Sequence, residues 1–319
     1  MTSATLPENT GVKPDPKTGV LMVLLAAALW GTTGTAQALA GGGLAPVWFG
    51  ALRLVVAMVF FAAYNAVLHR GQGLSASVHR ALPLGPVLGA GLCMAAYNLA
   101  FFAGIRSAGV AVGTAIALGS GPVWTGLIQA LVTRQVPAIG WWIGTVVAIS
   151  GGLLMTLSGT LAVGGSGLVT APDTAGIALC LVSGLGYAGY TLLNQGLVRT
   201  ASPSRVTLQT FAVAALLAVA AAFWDVGPPQ PNAADGWAVL YVGVATAGVA
   251  YLLFGHALQH LSAANAVTLA LVEPVVAFTL ASAVLGERPS AWAFVGLVLV
   301  IAGVLAVVRS ALGRPTSAA

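Results

Sequence analysis

AANAVTLALVEPVVAFTLASAVLGERP, residues 263–289, is an apolar helix-forming run with Glu273-Pro274 at its centre and a Gly-Glu-Arg-Pro exit. A second copy of this design lies 152 positions earlier: Pro122 falls on Pro274, Gln135 on Glu287 and Pro137 on Pro289. The same shift superposes Gly144 on Gly296, Val146 on Val298, Ile149 on Ile301, Gly151 on Gly303 and Leu153 on Leu305. Two prolines in register, followed by in-phase glycines, point to a duplicated unit rather than to shared composition.

Working outward, mean hydropathy is +0.96, with 6% charged and 58% apolar residues over 319 positions. Soluble domains carry about a quarter charged residues, so the composition is that of a multi-span membrane protein. The net charge of +5 and pI of 9.6 sit in short loops, where they set orientation in the bilayer; no nucleic-acid partner is implied. Cys93 and Cys180 both lie in apolar spans and give no disulfide framework. Lys13 and Lys17, then Val20–Leu29, then Ala36-Gln37-Ala38 have the order of a cleavable signal peptide. Residues 19–34, however, echo 176–191: Gly19 meets Gly176, Leu24 meets Leu181 and Trp30 meets Tyr187, so the segment reads as a retained first helix.

A helix needs about 20 apolar residues to cross a bilayer. Ten stretches qualify: 18–40, 45–68, 82–104, 108–132, 137–157, 174–197, 204–224, 236–258, 262–285 and 290–309. With the N-terminus inside, Lys13, Lys17, Arg70, Arg80, Arg134, Arg199, Arg205, Arg309 and Arg314 fall on the cytoplasmic side, against Arg106 and Arg288 outside. Nine against two satisfies the positive-inside rule and places both termini in the cytoplasm. Five spans per copy is odd, so the second copy enters the membrane inverted. The expected fold is an all-α integral membrane protein of ten transmembrane helices, two inverted five-helix repeats. Residues 1–17 form a tail, 18–157 and 174–309 the repeats, 158–173 an extracytoplasmic linker and 310–319 a second tail. Inverted repeats characterise secondary transporters, whose site lies near the midplane between the halves.

Within such a frame, Pro122 and Pro274 each remove a backbone donor and are expected to bend or open their helices, as hinges beside the pathway. Glu273 is the one carboxylate placed well inside a span, which costs roughly 2.5–3.5 kcal/mol on insertion scales. It is a candidate for substrate binding, proton exchange or an ion pair with Arg53. Trp30, Tyr97, Asn98, Trp124, Tyr187, Tyr190 and Tyr251 are candidate substrate-binding residues, a set that would line an aromatic, mostly neutral cavity. Tyr187, Tyr190 and Asn194 are three and four apart and share a helix face. Trp48, Trp141, Trp142, Trp224 and Trp237 read as interfacial belts. His256 and His260 lack a third ligand nearby and read as a helix-end pair, so no metal is expected. Gly85-x-x-x-Gly89, Gly109-x-x-x-Gly113 and Gly140-x-x-x-Gly144 read as packing motifs. No H-E-x-x-H, Walker loop, intramembrane aspartate pair or fitting G-x-S-x-G supports an enzyme, and no filter sequence supports a channel.

Ten spans in two repeats, Leu29-Trp30-Gly31, Arg53 in span two, Pro122 in span four and Glu273-Pro274 followed by Gly286-Glu287 together resemble the drug/metabolite transporter superfamily, EamA-type branch. The resemblance covers residues 18–309 and implies a bacterial inner-membrane exporter of amino acids or related metabolites, cofactor-free and monomeric. It implies a cavity lined by spans one, three, four, six, eight and nine, with five and ten as supports. Among subgroups the chain is similar to YddG-type and threonine/homoserine-type amino acid exporters, and those of YddG type carry an aromatic at the position of Tyr187 and a tyrosine at that of Tyr97. They place Tyr and Trp where this chain has Gly119 and Gly121, so a roomier, less selective pocket is expected. The expected function is export of neutral, aromatic or hydrophobic amino acids, the halves rocking about the midplane site; drug, nucleoside or sugar transport on the same scaffold is the alternative.

Overall fold

The computed structural model describes residues 14–41, 43–68, 81–134, 136–162, 173–284 and 290–312. Gln135, residues 285–289 with Glu287 and Arg288, most of the linker, and Lys13, Arg70, Arg80 and Arg314 lie outside the described residues. Ten helices are long and apolar enough to cross a membrane: α1 (Pro16–Leu39), α2 (Pro46–Leu68), α3 (Leu84–Ala108), α4 (Val112–Thr133), α5 (Ile139–Leu157), α6 (Thr174–Val198), α7 (Pro203–Val226), α8 (Ala233–Ala257), α9 (Ala263–Val284) and α10 (Ala291–Leu312). No strand occurs among the described residues. Leu131, Ile139, Leu216 and Trp224 are largely exposed, giving the bundle the apolar perimeter that lipid requires.

Helix starts follow local chemistry. Asp15 caps α1 by accepting from the Lys17 and Thr18 amides, with Pro16 at the first helical position, where its missing N–H costs nothing. The Thr18 hydroxyl also donates to Asp15 and holds that carboxyl below its usual range. Asn232 and Asp235 exchange hydrogen bonds in a capping box that opens α8, at 2.8 and 3.1 Å.

The halves are inverted. Gly19, at the start of α1, packs on His260 and Leu261, whereas its counterpart Gly176, at the start of α6, packs at the opposite end on Ser107 and Ala108. The seam between α5 and α10 shows the twofold relation directly. A β-carbon on Gly144 would lie 2.8 Å from the Gly303 carbonyl, and one on Gly296 would lie 2.6 Å from the Gly151 carbonyl. The shift of 152 converts one contact into the other, so each helix meets its own counterpart across the axis. Side chains are absent at these crossings and the backbones touch, as close membrane packing by van der Waals contact demands.

The tightest packing joins the halves rather than filling each one: α3 lies on α6, α5 on α10, α2 on α7 and α1 on α8. The two sequence halves thus meet over an extensive shared interface. Of the expected glycine motifs, only one member of each makes a tight contact. Gly89, Gly113 and Gly144 meet neighbours closely, while Gly85, Gly109 and Gly140 face open space. The aromatic belt is also smaller than expected. Trp224 and Trp237 are exposed at 94% and 74%, but Trp48 and Trp141 are buried at 2%. Trp48 donates its indole N–H to the Gly227 carbonyl at 2.8 Å.

Candidate substrate cavity

Three helices lose their regular pitch near the centre of the bundle. α1 breaks at Thr32, whose hydroxyl bonds the Leu29 carbonyl at 2.7 Å. α8 widens into a π-helix over Val242–Val249, a distortion frequently found at functional sites. α9 tightens into a 3-10 turn over Ala270–Val272, immediately before Glu273-Pro274. The last has a plain cause. Pro274 has no N–H for the Ala270 carbonyl, and the tighter turn lets the Glu273 N–H reach that carbonyl instead. The breaks of α1 and α9 abut: a β-carbon on Gly31 would lie 2.6 Å from Val276 and 2.8 Å from the Glu273 carbonyl. Pro122, by contrast, is buried inside a continuous α4, so of the two proline helices only α9 changes pitch at its proline.

Around these breaks lies a cavity of about 980 Å³. Its walls come from Trp30, Thr33, Gly34 and Gln37 of α1, Pro46, Phe49 and Arg53 of α2, and Tyr97, Phe101, Phe102 and Ile105 of α3. Thr114 and Leu118 of α4, Met155 and Thr156 of α5, Tyr187 of α6, Tyr251 of α8 and Val267, Ala270, Leu271, Glu273, Pro274, Ala277, Phe278 and Ala281 of α9 complete it. Beyond the expected spans, α2 and α5 therefore take part, and α2 supplies the cation.

The floor is aromatic and symmetric. Trp30 lies 5.1 Å from Tyr251 and Tyr187 lies 5.3 Å from Tyr97, ring centre to ring centre. Because Trp30 and Tyr187 correspond between the repeats, α1-on-α8 and α6-on-α3 repeat the same contact across the axis. Trp30 is fixed by an indole N–H donated to the Thr246 carbonyl in the π segment at 2.9 Å. Ser183 of α6 donates to the Tyr97 carbonyl at 3.0 Å, which anchors the other pair.

Arg53 donates to the Asn98 side-chain oxygen at 3.0 Å. It makes no ion pair with Glu273; the salt bridge among the described residues is Arg106–Asp225 at 3.3 Å. Glu273 receives no hydrogen bond from any described residue, and its carboxylate lies in the cavity that Arg53 also lines. The expected ion pair is thus absent, and the two charges instead share one chamber.

Trp30, Tyr97, Tyr187, Tyr251, Arg53, Glu273 and Pro274 line the cavity. Asn98 is buried behind it and orients Arg53. Trp124 and Tyr190 do not line it, and Tyr190 is buried beneath the floor against Phe211 and Tyr251. His256 bonds the Leu252 carbonyl and His260 accepts from the Asp15 N–H at 3.0 Å, and no metal-ligand cluster occurs among the described residues.

The cavity reaches the end of the bundle that carries Gly41, Pro46 and Ile105. The other end, where Lys17, Arg134, Arg199, Arg205 and Arg309 gather, is closed. There Gln195 donates to the Leu261 carbonyl at 2.6 Å, Gln259 to the Val198 carbonyl at 3.0 Å, and the Ala264 N–H to Gln129 at 3.3 Å.

Ten membrane-length helices, three of them interrupted near the centre around a one-ended chamber, define a multi-pass membrane transporter. The EamA-like transporter family matches residues 17–157 and again 174–309, and the chain belongs to that family, within the drug/metabolite transporter superfamily. It is 35% identical over 292 residues to an uncharacterized transporter, YwfM, of Bacillus subtilis (strain 168), covering 90% of this chain and 92% of that one. A solved structure described only as "Crystal structure of protein" shares the fold, with a TM-score of 0.76 at 18% identity, over 92% of this chain and 98% of the other.

Proposed function

We propose that the cavity binds zwitterionic amino acids with neutral, aromatic or hydrophobic side chains and that the protein exports them across the bacterial inner membrane. The observation that carries this reading is the pair of opposite charges, Glu273 and Arg53, facing one chamber without bonding each other. An amino acid presents an ammonium and a carboxylate on one carbon, and each would find its counter-charge here. Trp30, Tyr97, Tyr187 and Tyr251 offer the side chain an aromatic floor. A volume of about 980 Å³ is at the upper end of ligand pockets, in keeping with a broad range of side chains.

The basic end of the bundle is cytoplasmic by the positive-inside rule, so the chamber described here faces outward. Alternating access then requires two symmetry-related groups to tilt: α1 with α8 and α9, against α6 with α3 and α4. In this reading the α2–α7 and α5–α10 pairs, each made of a helix and its own counterpart, form the frame about which these groups tilt.

Reconstituted protein in liposomes loaded with a mixed metabolite pool tests the reading. Counterflow of neutral and aromatic amino acids is expected. Movement of nucleosides, sugars or cationic drugs with no amino acid counterflow would refute it.

A further inference from the structure

Beneath the aromatic floor, toward the closed end, lies a second set of polar groups that the outward-facing chamber does not use. Tyr190 and Asn194 on α6 are both 0% exposed. The Tyr190 hydroxyl and both the oxygen and the nitrogen of the Asn194 amide have no hydrogen-bond partner among the described residues. An unpaired buried polar group costs roughly 1–3 kcal/mol, and an apolar side chain of similar volume would avoid that cost. Such groups are out of place in a permanently closed plug.

The repeat relation explains them. The shift of 157 that puts Trp30 on Tyr187 also puts Thr33 on Tyr190 and Gln37 on Asn194. Thr33 and Gln37 are the polar wall of the open half of the chamber, one and two helical turns beyond the floor. Tyr190 and Asn194 stand at the same distances beyond the floor on the inverted helix, on the closed side. We propose that they are the wall of an inner vestibule, where they take over from Thr33 and Gln37 and hydrogen-bond the polar head of the substrate and its water when the cytoplasmic end opens. Their unpaired atoms in the outward-facing form are groups matched to the other form. This rests on the alternating-access reading above.

The test uses the full chain reconstituted in liposomes of known orientation. Single variants Gln37→Cys and Asn194→Cys are treated with a membrane-impermeant thiol reagent from either side, with the wild type reporting background from Cys93 and Cys180. Gln37→Cys is expected to react from the outer side. Asn194→Cys is expected to react from the Arg199 side, about tenfold or more faster than from the outer side. Asn194→Leu, which removes the unpaired amide, is expected to raise Tm and to slow L-phenylalanine counterflow about tenfold, since the outward-facing form gains. If Asn194→Cys does not reach the membrane, Tyr190→Cys is read in the same way. A cysteine at 194 that reacts from neither side, in protein whose counterflow runs normally, overturns the inference and leaves the transport reading standing. Absence of amino acid counterflow in the wild type removes the substrate reading instead, and inner-side labelling would still report the vestibule. Equal reaction from both sides would mean a continuous pore and overturn both.

Discussion

Glu273→Gln separates the charge reading from a merely structural one. The substitution keeps shape and volume and removes one negative charge. Because no described side chain bonds this carboxylate, the variant breaks no direct hydrogen bond or salt bridge, and Arg53 keeps its bond to Asn98. It also relieves the burden of a lone carboxylate in a span, so Tm should hold or rise. A hydrogen bond to a charged group contributes about 1.5–3 kcal/mol, which corresponds to roughly tenfold to 150-fold in half-saturation. The assay is counterflow of labelled L-phenylalanine, with unlabelled L-phenylalanine and N-acetyl-L-phenylalanine as competitors. The acetylated compound keeps the carboxylate for Arg53 and lacks the ammonium. Wild-type protein should prefer the free amino acid by about that factor, and Glu273→Gln should bring the two competitors close together. An unchanged preference ratio, with transport intact, would show that Glu273 does not read the ammonium.

Tyr97→Ala and Tyr187→Ala should depress efflux without lowering protein abundance, measured as transport per unit of membrane-inserted protein. Trp30→Phe removes the indole donor to the buried Thr246 carbonyl and should cost about 1–3 kcal/mol, read as a drop in Tm with a parallel loss of transport. Gly303→Ala should be poorly tolerated, because the new β-carbon would sit 2.4 Å from the Ala148 amide nitrogen, a backbone atom that cannot step aside. Gly140→Ala should be neutral or stabilising by about 0.5–1 kcal/mol, because nothing lies within 4 Å of that position; thermal unfolding in detergent distinguishes the two glycines.

The ten spans were legible because lipid enforces length and apolarity, and each expected helix matches the structure apart from a few terminal residues. The repeat was legible through Pro122, Pro274 and the glycines of α5 and α10, since a proline or a bare backbone crossing constrains one position sharply. The π segment of α8 was not. Val242–Val249 is Val, Gly, Ala and Thr, the residues of any membrane helix, and its wide turns coincide with Trp30 from α1 bonding Thr246. Arg53 was visible as a charge, yet its partner was not: Asn98, on another helix, holds it at 3.0 Å where Glu273 had been the expected mate. Tyr190 shares a helix face with Tyr187, but Tyr251 and Phe211 from other helices pack over it, and a face drawn on one helix cannot show where another element closes over it.

The contact between α5 and α10 maps onto itself under the twofold rotation, Gly144 with Gly303 and Gly296 with Gly151. A surface that fits its duplicate also fits a second copy of itself. The amino-terminal five helices, made alone, carry half of such a surface and expose it to the lipid. The same logic predicts that the present chain, severed between α5 and α6, comes back together from two polypeptides inserted independently, and loss of transport by the co-expressed pieces would refute it.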